Sequence, residues 1–151
     1  MLLQRGDPRK RGLVMEEIRD LEWARKTFAN DRFATDAAGV VIEEAGDKIC
    51  RCSMKITPIH LNAAGGVMGG AIFTLADLTF AVAANFGGRM TVSISSNISF
   101  IGACKGEVLY SEAHCVKSGR STCFYEIEVK DDLGTQVAIV TITGFVKDQS
   151  F

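Results

Sequence analysis

An aspartate stands in the middle of the most apolar stretch of the sequence. Asp77 interrupts the segment from Met68 to Asn85, Met-Gly-Gly-Ala-Ile-Phe-Thr-Leu-Ala-Asp-Leu-Thr-Phe-Ala-Val-Ala-Ala-Asn. A carboxylate there costs several kcal/mol unless it is paired, hydrogen-bonded or turned to a cleft. Unpaired buried carboxylates collect at active sites, which puts a functional role first; a bond to a neighbouring strand or exposure at one helix edge is the plainer alternative. The same segment opens on Gly69 and Gly70, whose free N–H groups at a helix start favour developing negative charge, as on an acyl carbonyl becoming an oxyanion. Glycines that merely let the helix pack closely on a sheet give the same pattern.

Spacing adds a constraint. Gly70 and Asp77 share one helical face but lie about 10 Å apart along the axis, whereas the oxyanion donor and the attacking group must each come within about 3 Å of the reacting atoms. If both act on one carbonyl, the aspartate comes from a second copy of the chain. That predicts a site built across a dimer interface. His60 and Asn62 precede the helix on a loop, where polar groups can point into a cleft. Asn62 can position a water, while for His60 capping of a turn is the favoured role. After the helix, Thr91, Ser93, Ser95, Asn97 and Ser99 alternate with Val92, Ile94, Ile98 and Phe100, and a hydroxyl on Ser95 or Ser96 could orient a water as readily as it could face solvent.

These residues need elements to hold them. Apolar positions at helical spacing predict an amphipathic helix over 14–28, after a basic tail, residues 1–12. Residues 38–44 and 48–56 read as two strands around a turn at Ala45–Asp47, with Cys50, Cys52, Met54 and Ile56 on one face. The segment Met68–Asn85, stopped by Gly87 and Gly88, reads as a helix buried on most sides; it is short for a bilayer and carries Asp77 at its centre, so a membrane span is rejected. Four strands follow, near 91–101, 107–117, 121–130 and 136–146. Their short separators predict an antiparallel meander. The class is α+β: a curved antiparallel sheet of about six strands wrapped around the hydrophobic helix, in a single domain over 13–148.

Composition narrows the function classes. The chain has 151 residues and a formal net charge of −1, a field that disfavours nucleic acid as a partner. Five cysteines, an odd number with no apolar leader before them, predict a reducing, cytoplasmic setting without a disulfide framework. Cys50 and Cys52 lack the second pair or nearby histidines that a zinc site needs. His114 reads as a mid-strand sheet residue. No metal or organic cofactor is expected.

The run Asn62-Ala-Ala-Gly65-Gly-Val-Met68-Gly69-Gly70, followed by Leu75-Ala-Asp77, resembles the hotdog-fold acyl-CoA thioesterases of the PaaI-like branch. Their pattern is Asn-x-x-Gly-x-x-His-Gly-Gly with an aspartate further along the helix, and the resemblance spans about Asp31 to Lys147. It implies Asp77 as general base or nucleophile, Asn62 as a positioning group and the Gly69 N–H as donor to the thioester oxygen. It further implies Ser95, with Ser96 as fallback, as the hydroxyl that holds the lytic water. Lys117, Ser118, Gly119 and Arg120 match a region that contacts the nucleotide end of coenzyme A, Arg120 by pairing with phosphate. Arg89, His60, Met68 and Gly70 join the expected substrate contacts. The implied activity is hydrolysis of a small or medium acyl-CoA by a homodimer or homotetramer. Met68 departs from the family pattern, which usually has histidine there, and a thioether cannot donate a hydrogen bond. The rival expectation is therefore a domain that binds acyl-CoA without hydrolysing it; a hydratase on the same fold would pair its acid with a histidine.

Overall fold

The computed structural model describes residues 17–151. The expected basic tail, 1–12, and the first residues of the expected helix, 14–16, lie outside them. Helix α1 spans Leu21–Phe28 and begins later than the apolar periodicity suggests. Asp20 sets that start: its backbone is extended and its carboxylate accepts the Trp23 N–H at 2.8 Å, satisfying one of the donors a helix start leaves open. Ala24 and Phe28 are buried. A π-helical turn, Phe33–Ala37, follows and closes with the Ala38 N–H on the Phe33 carbonyl at 2.9 Å. The sequence reading did not anticipate it.

Strands β1, Val40–Gly46, and β2, Ile49–Lys55, pair antiparallel. Cys50, Cys52 and Met54 are buried on one face of β2, as the alternation predicts, and the two thiols lie 3.6 Å apart. Helix α2, Gly69–Asn85, crosses the sheet. Ile72, Leu75, Ala76, Leu78, Thr79, Phe80, Val82 and Ala83 are buried. Gly70, Phe73, Thr74, Asp77, Ala81 and Ala84 are not fully covered; they recur at helical spacing and form one continuous stripe. Thr79 and Ser111 hydrogen-bond in the core and tie the helix to the sheet. At the other end, Arg19 donates to the Asn85 and Phe86 carbonyls, each at 3.2 Å.

The remaining strands are β3, Arg89–Phe100; β4, Val108–Ser118; β5, Thr122–Asp131; and β6, Gln136–Ser150. All pairings are antiparallel, in the order β1-β2-β4-β5-β6-β3. The expected architecture, a six-stranded curved sheet around a central helix, is therefore present. The expected meander holds for β4, β5 and β6 but not for β3, which pairs with β6 and not with β4. The cause is α2, which leaves β2 in the first half of the sheet and delivers β3 to the far edge. Residues 101–107 are consequently a crossover. Asp131 anchors it, one carboxylate oxygen accepting from the Lys105 and Gly106 N–H groups at 2.8 and 3.0 Å, the other from Leu133 and Thr135 at 3.0 and 2.8 Å. β3 is an edge strand with one side unpaired, and among the described residues no helix is long and apolar enough to cross a membrane.

Candidate active site

Asp77 sits midway along the uncovered stripe of α2, half-buried. Among the described residues no donor hydrogen-bonds to its carboxylate. Burial raises its pKa above the usual carboxylate value, and the negative charge of Asp31 raises it further. Both groups line a cavity of about 450 Å³ with Arg32, Phe33, Phe73 and Thr74. A carboxylate held this way is a stronger base than one in water. Asp31, on the loop before the π-helical turn, was invisible to sequence reasoning because a charged loop residue reads as solvated.

At the start of α2, the Ala71 and Ile72 N–H groups both reach the Met68 carbonyl, at 3.0 and 3.3 Å. The Gly69 and Gly70 N–H groups precede these first helical bonds. The two glycines differ in what demands them. A methyl group at position 69 would come within 2.7 Å of Phe100 Cζ, whereas at position 70 the nearest atom is Met68 Cε at 3.8 Å. Close approach of the Phe100 ring accounts for Gly69. Among the described residues nothing fills the space beside Gly70, which opens onto a cavity of about 410 Å³ lined also by Phe33, Ile59, His60, Met68, Ala71 and Thr74.

The loop that delivers α2 is organised by the two polar residues expected there. Asn62 Oδ1 accepts from the Ala64 and Gly66 N–H groups at 3.0 and 3.1 Å, and the Asn62 carbonyl accepts from Gly65 at 3.0 Å. Gly65 has φ +86°, a left-handed conformation that suits glycine. The oxygen of Asn62 is therefore spent on its own loop, and its amide nitrogen is the group left to donate. His60 is buried and caps the turn: Nδ1 accepts from the Thr57 N–H at 3.0 Å, which leaves Nε2–H to donate to the Ala38 carbonyl at 2.6 Å. Its ring contributes a wall to the cavity and no free donor.

The two serines lie on opposite faces of β3. A bulge shifts the β3 register between Ser93 and Ser95, so the alternation flips at Ile94. Ser96, Ile98 and Phe100 pair with the buried Ile142, Val140 and Ala138, while Ser95, Asn97 and Ser99 pair with Thr143, Thr141 and Ile139. Directly opposed residues share a face. Ser95 thus lies on the outer face, away from α2, and Ser96 is the hydroxyl on the helix side. His114, next to the buried Ala113, is also on the outer face.

Arg89, Ser118 and Gly119 gather with Asp47, Lys48 and Tyr125 around a third cavity of about 190 Å³, where Arg89 donates to the Arg120 carbonyl at 3.2 Å. Lys117 is exposed beside this turn. The cluster lies at the C-terminal end of α2, some ~24 Å along the helix from Gly69 at 1.5 Å per residue. Within one chain the structure therefore makes two groups: Met68, Gly69, Gly70 and His60 at one end, with Asp77 two turns on, and the basic cluster at the other.

Residues 64–138 match the family model of the thioesterase superfamily. A candidate esterase from Archaeoglobus fulgidus is 32% identical over 94% of this chain and 89% of its own length. The acyl-coenzyme A thioesterase PaaI of Escherichia coli is 30% identical over 77% of this chain and 83% of its own. A solved structure of the Escherichia coli PaaI protein superposes with a TM-score of 0.75 at 24% identity, covering 86% of this chain and 98% of that one. A hypothetical thioesterase from Streptococcus pneumoniae, solved with coenzyme A, superposes with a TM-score of 0.74 at 29% identity, covering 81% of this chain and 98% of that one.

Proposed function

Since the chain belongs to the thioesterase superfamily, in the PaaI-like branch of the hotdog fold, and is thereby a thioester hydrolase, we propose that it hydrolyses a small or medium acyl-CoA to the free acid and coenzyme A. The observation that carries this reading is the half-buried Asp77, unpaired among the described residues and with a raised pKa, on the one stripe of α2 that the sheet leaves uncovered. Its carboxylate removes a proton from water, or attacks the thioester carbon directly. The Gly69 and Gly70 N–H groups receive the oxyanion, with the amide nitrogen of Asn62 and the Ser96 hydroxyl as positioning groups. The basic cluster of Arg89, Lys117 and Arg120 supplies charge for the nucleotide phosphates. The free cysteines suit a reducing compartment such as the cytoplasm.

One chain cannot bring Asp77 and Gly69 to the same carbonyl, because eight residues of helix hold them ~12 Å apart. The reading therefore includes a homodimer. The unpaired edge of β3 is long, carries exposed Val92 and Ile94, and can pair antiparallel with the same edge of a second copy. A twofold through the middle of β3 sets the uncovered stripes of two α2 helices side by side. Each site then takes its glycines from one copy and Asp77 from the other.

The test is thiol release from acetyl-, hexanoyl-, phenylacetyl- and palmitoyl-CoA by the wild type and by Asp77→Asn. Turnover by the wild type that falls about 10²–10⁴-fold in the variant is the expected outcome. Equal rates in both proteins would end the catalytic role of Asp77. Saturable binding with no turnover would turn the chain into an acyl-CoA binder.

A further inference from the structure

Phe100 is the last residue of β3, and its ring is what forbids a side chain at position 69. A methyl group there would meet three ring atoms, Cζ at 2.7 Å, Cε1 at 3.2 Å and Cε2 at 3.4 Å. The tip of the ring therefore rests on the first residue of α2. Its support is stiff: Phe100 pairs with the buried Ala138 of β6, and the next two N–H groups, of Ile101 and Gly102, both reach the Val137 carbonyl, at 2.9 and 3.3 Å. Gly102 is wedged as well, since a methyl group there would collide with the Gln136 carbonyl oxygen. The helix side of the contact is softer. Gly69 and Gly70 precede the first helical bonds, and the loop before them is tied by the Met68 N–H to the His60 carbonyl at 2.8 Å. Phe100 is itself 55% exposed, so its own burial explains little of an aromatic ring at the end of an edge strand. Its contact with Gly69 is what distinguishes the position.

We infer that Phe100 is a positioning residue for the hydrolysis: a ring held by β6 fixes the first turn of α2, and with it the direction in which the Gly69 N–H points. The inference rests on the acyl-CoA reading above and adds to it a residue that acts through Gly69. An oxyanion donor works in a narrow range, roughly 2.7–3.1 Å from where the charge develops, and two successive glycines make this turn the most permissive backbone at the site. Without the ring, the turn samples directions that miss the oxygen. Misplacement by about 1 Å is enough to cost on the order of 100-fold in rate.

A double-mutant cycle of Phe100→Ala and Gly69→Ala tests this, with kcat read on whichever of the four acyl-CoAs above the wild type turns over fastest. Phe100→Ala is expected to lower kcat about 10- to 100-fold, while KM and the affinity for the non-hydrolysable S-hexyl-CoA change less than about threefold and Tm falls by less than about 5 °C. Phe100→Tyr, which keeps the ring, is expected to retain most of the wild-type kcat. Gly69→Ala alone forces the ring aside; in the pair the ring is gone, so the second substitution is expected to add little to the loss. Losses that multiply would make the two residues independent and overturn the inference, as would an unchanged kcat in Phe100→Ala or a full loss in Phe100→Tyr. A loss that vanishes at high protein concentration would make Phe100 an edge-pairing residue and overturn it too. Phe100→Leu, which removes the ring tip and keeps the bulk, carries the same comparison should the alanine variant not fold. A wild type that turns over none of the four thioesters removes the hydrolytic reading and this inference together; turnover with an additive cycle removes this inference alone.

Discussion

Asp77 is legible in the sequence because its type contradicts its surroundings: no core-forming helix gains from a carboxylate at its centre. The structure adds the physical consequence. Burial first, and Asp31 second, raise its pKa above 3.8, so the folded chain holds this proton more tightly than the unfolded chain does. Such a group favours folding below about pH 4, and that contribution is lost as the pH rises through the folded pKa. Asp77→Asn removes the dependence. Thermal melts of the variant are expected to show a Tm at pH 7 no lower than that of the wild type, with a flatter profile from pH 4 upward, alongside the loss of turnover. A Tm well below the wild type at pH 7 would make Asp77 a structural residue. Gly70 gives the complementary case. Alanine fits beside Met68 Cε at 3.8 Å and is the better helix former by roughly 0.5–1 kcal/mol, so Gly70→Ala is expected to raise Tm slightly. Its methyl group projects into the cavity beside the proposed oxyanion donors, and kcat/KM is expected to fall at least about tenfold. The residues that spacing could not reveal are Asp31, Phe33 and Ile59. Each belongs to a loop or an irregular turn, where charge and exposed apolar side chains carry no period to read.

At the scale of elements, α2 and the strand positions were legible because each has a strong period or a clear stop, whereas connections were not. Short Gly-rich separators look alike whether they close a hairpin or cross a sheet end, and only the path of α2 decides that 101–107 crosses. The facing of Ser95 and Ser96 has the same origin, since a bulge of one residue changes no local propensity. Asp131 shows what the crossover requires. Burial alone would raise its pKa, and the backbone N–H donations outweigh burial to hold the carboxylate well below its usual range. That stabilisation is present above pH 3.8 and is lost as the pH falls from there toward the folded pKa. Asn can accept with one oxygen only, leaving two backbone donors facing an amide. Asp131→Asn is therefore expected to lower Tm at neutral pH, with the difference from the wild type shrinking in acid. An unchanged Tm at pH 7 would mean that the crossover contributes nothing to cooperative folding.

The whole molecule poses the question that no single chain answers, because Asp77 and the Gly69 N–H, to which the proposed mechanism assigns one carbonyl, stand on one helix at a distance no thioester carbonyl spans. The edge of β3 carries the argument. A long unpaired edge strand is a template for another strand, and natural edges are usually guarded by lysine, proline or a covering helix. β3 has neither residue anywhere along Arg89–Phe100, and Ile94, at its bulge, is 60% exposed. Ile94→Lys places a guard there while touching neither the buried core nor the cavities. Sedimentation analysis is expected to find a dimer, or a tetramer built as a dimer of dimers, for the wild type and a shift to monomer for the variant. Turnover should fall with dissociation and return at high protein concentration, as the proposed two-copy site requires. A monomer that keeps full activity would instead require a single chain to bend its substrate around two turns of α2, with Asp77 acting at a point remote from Gly69, and the shared-site reading would be abandoned.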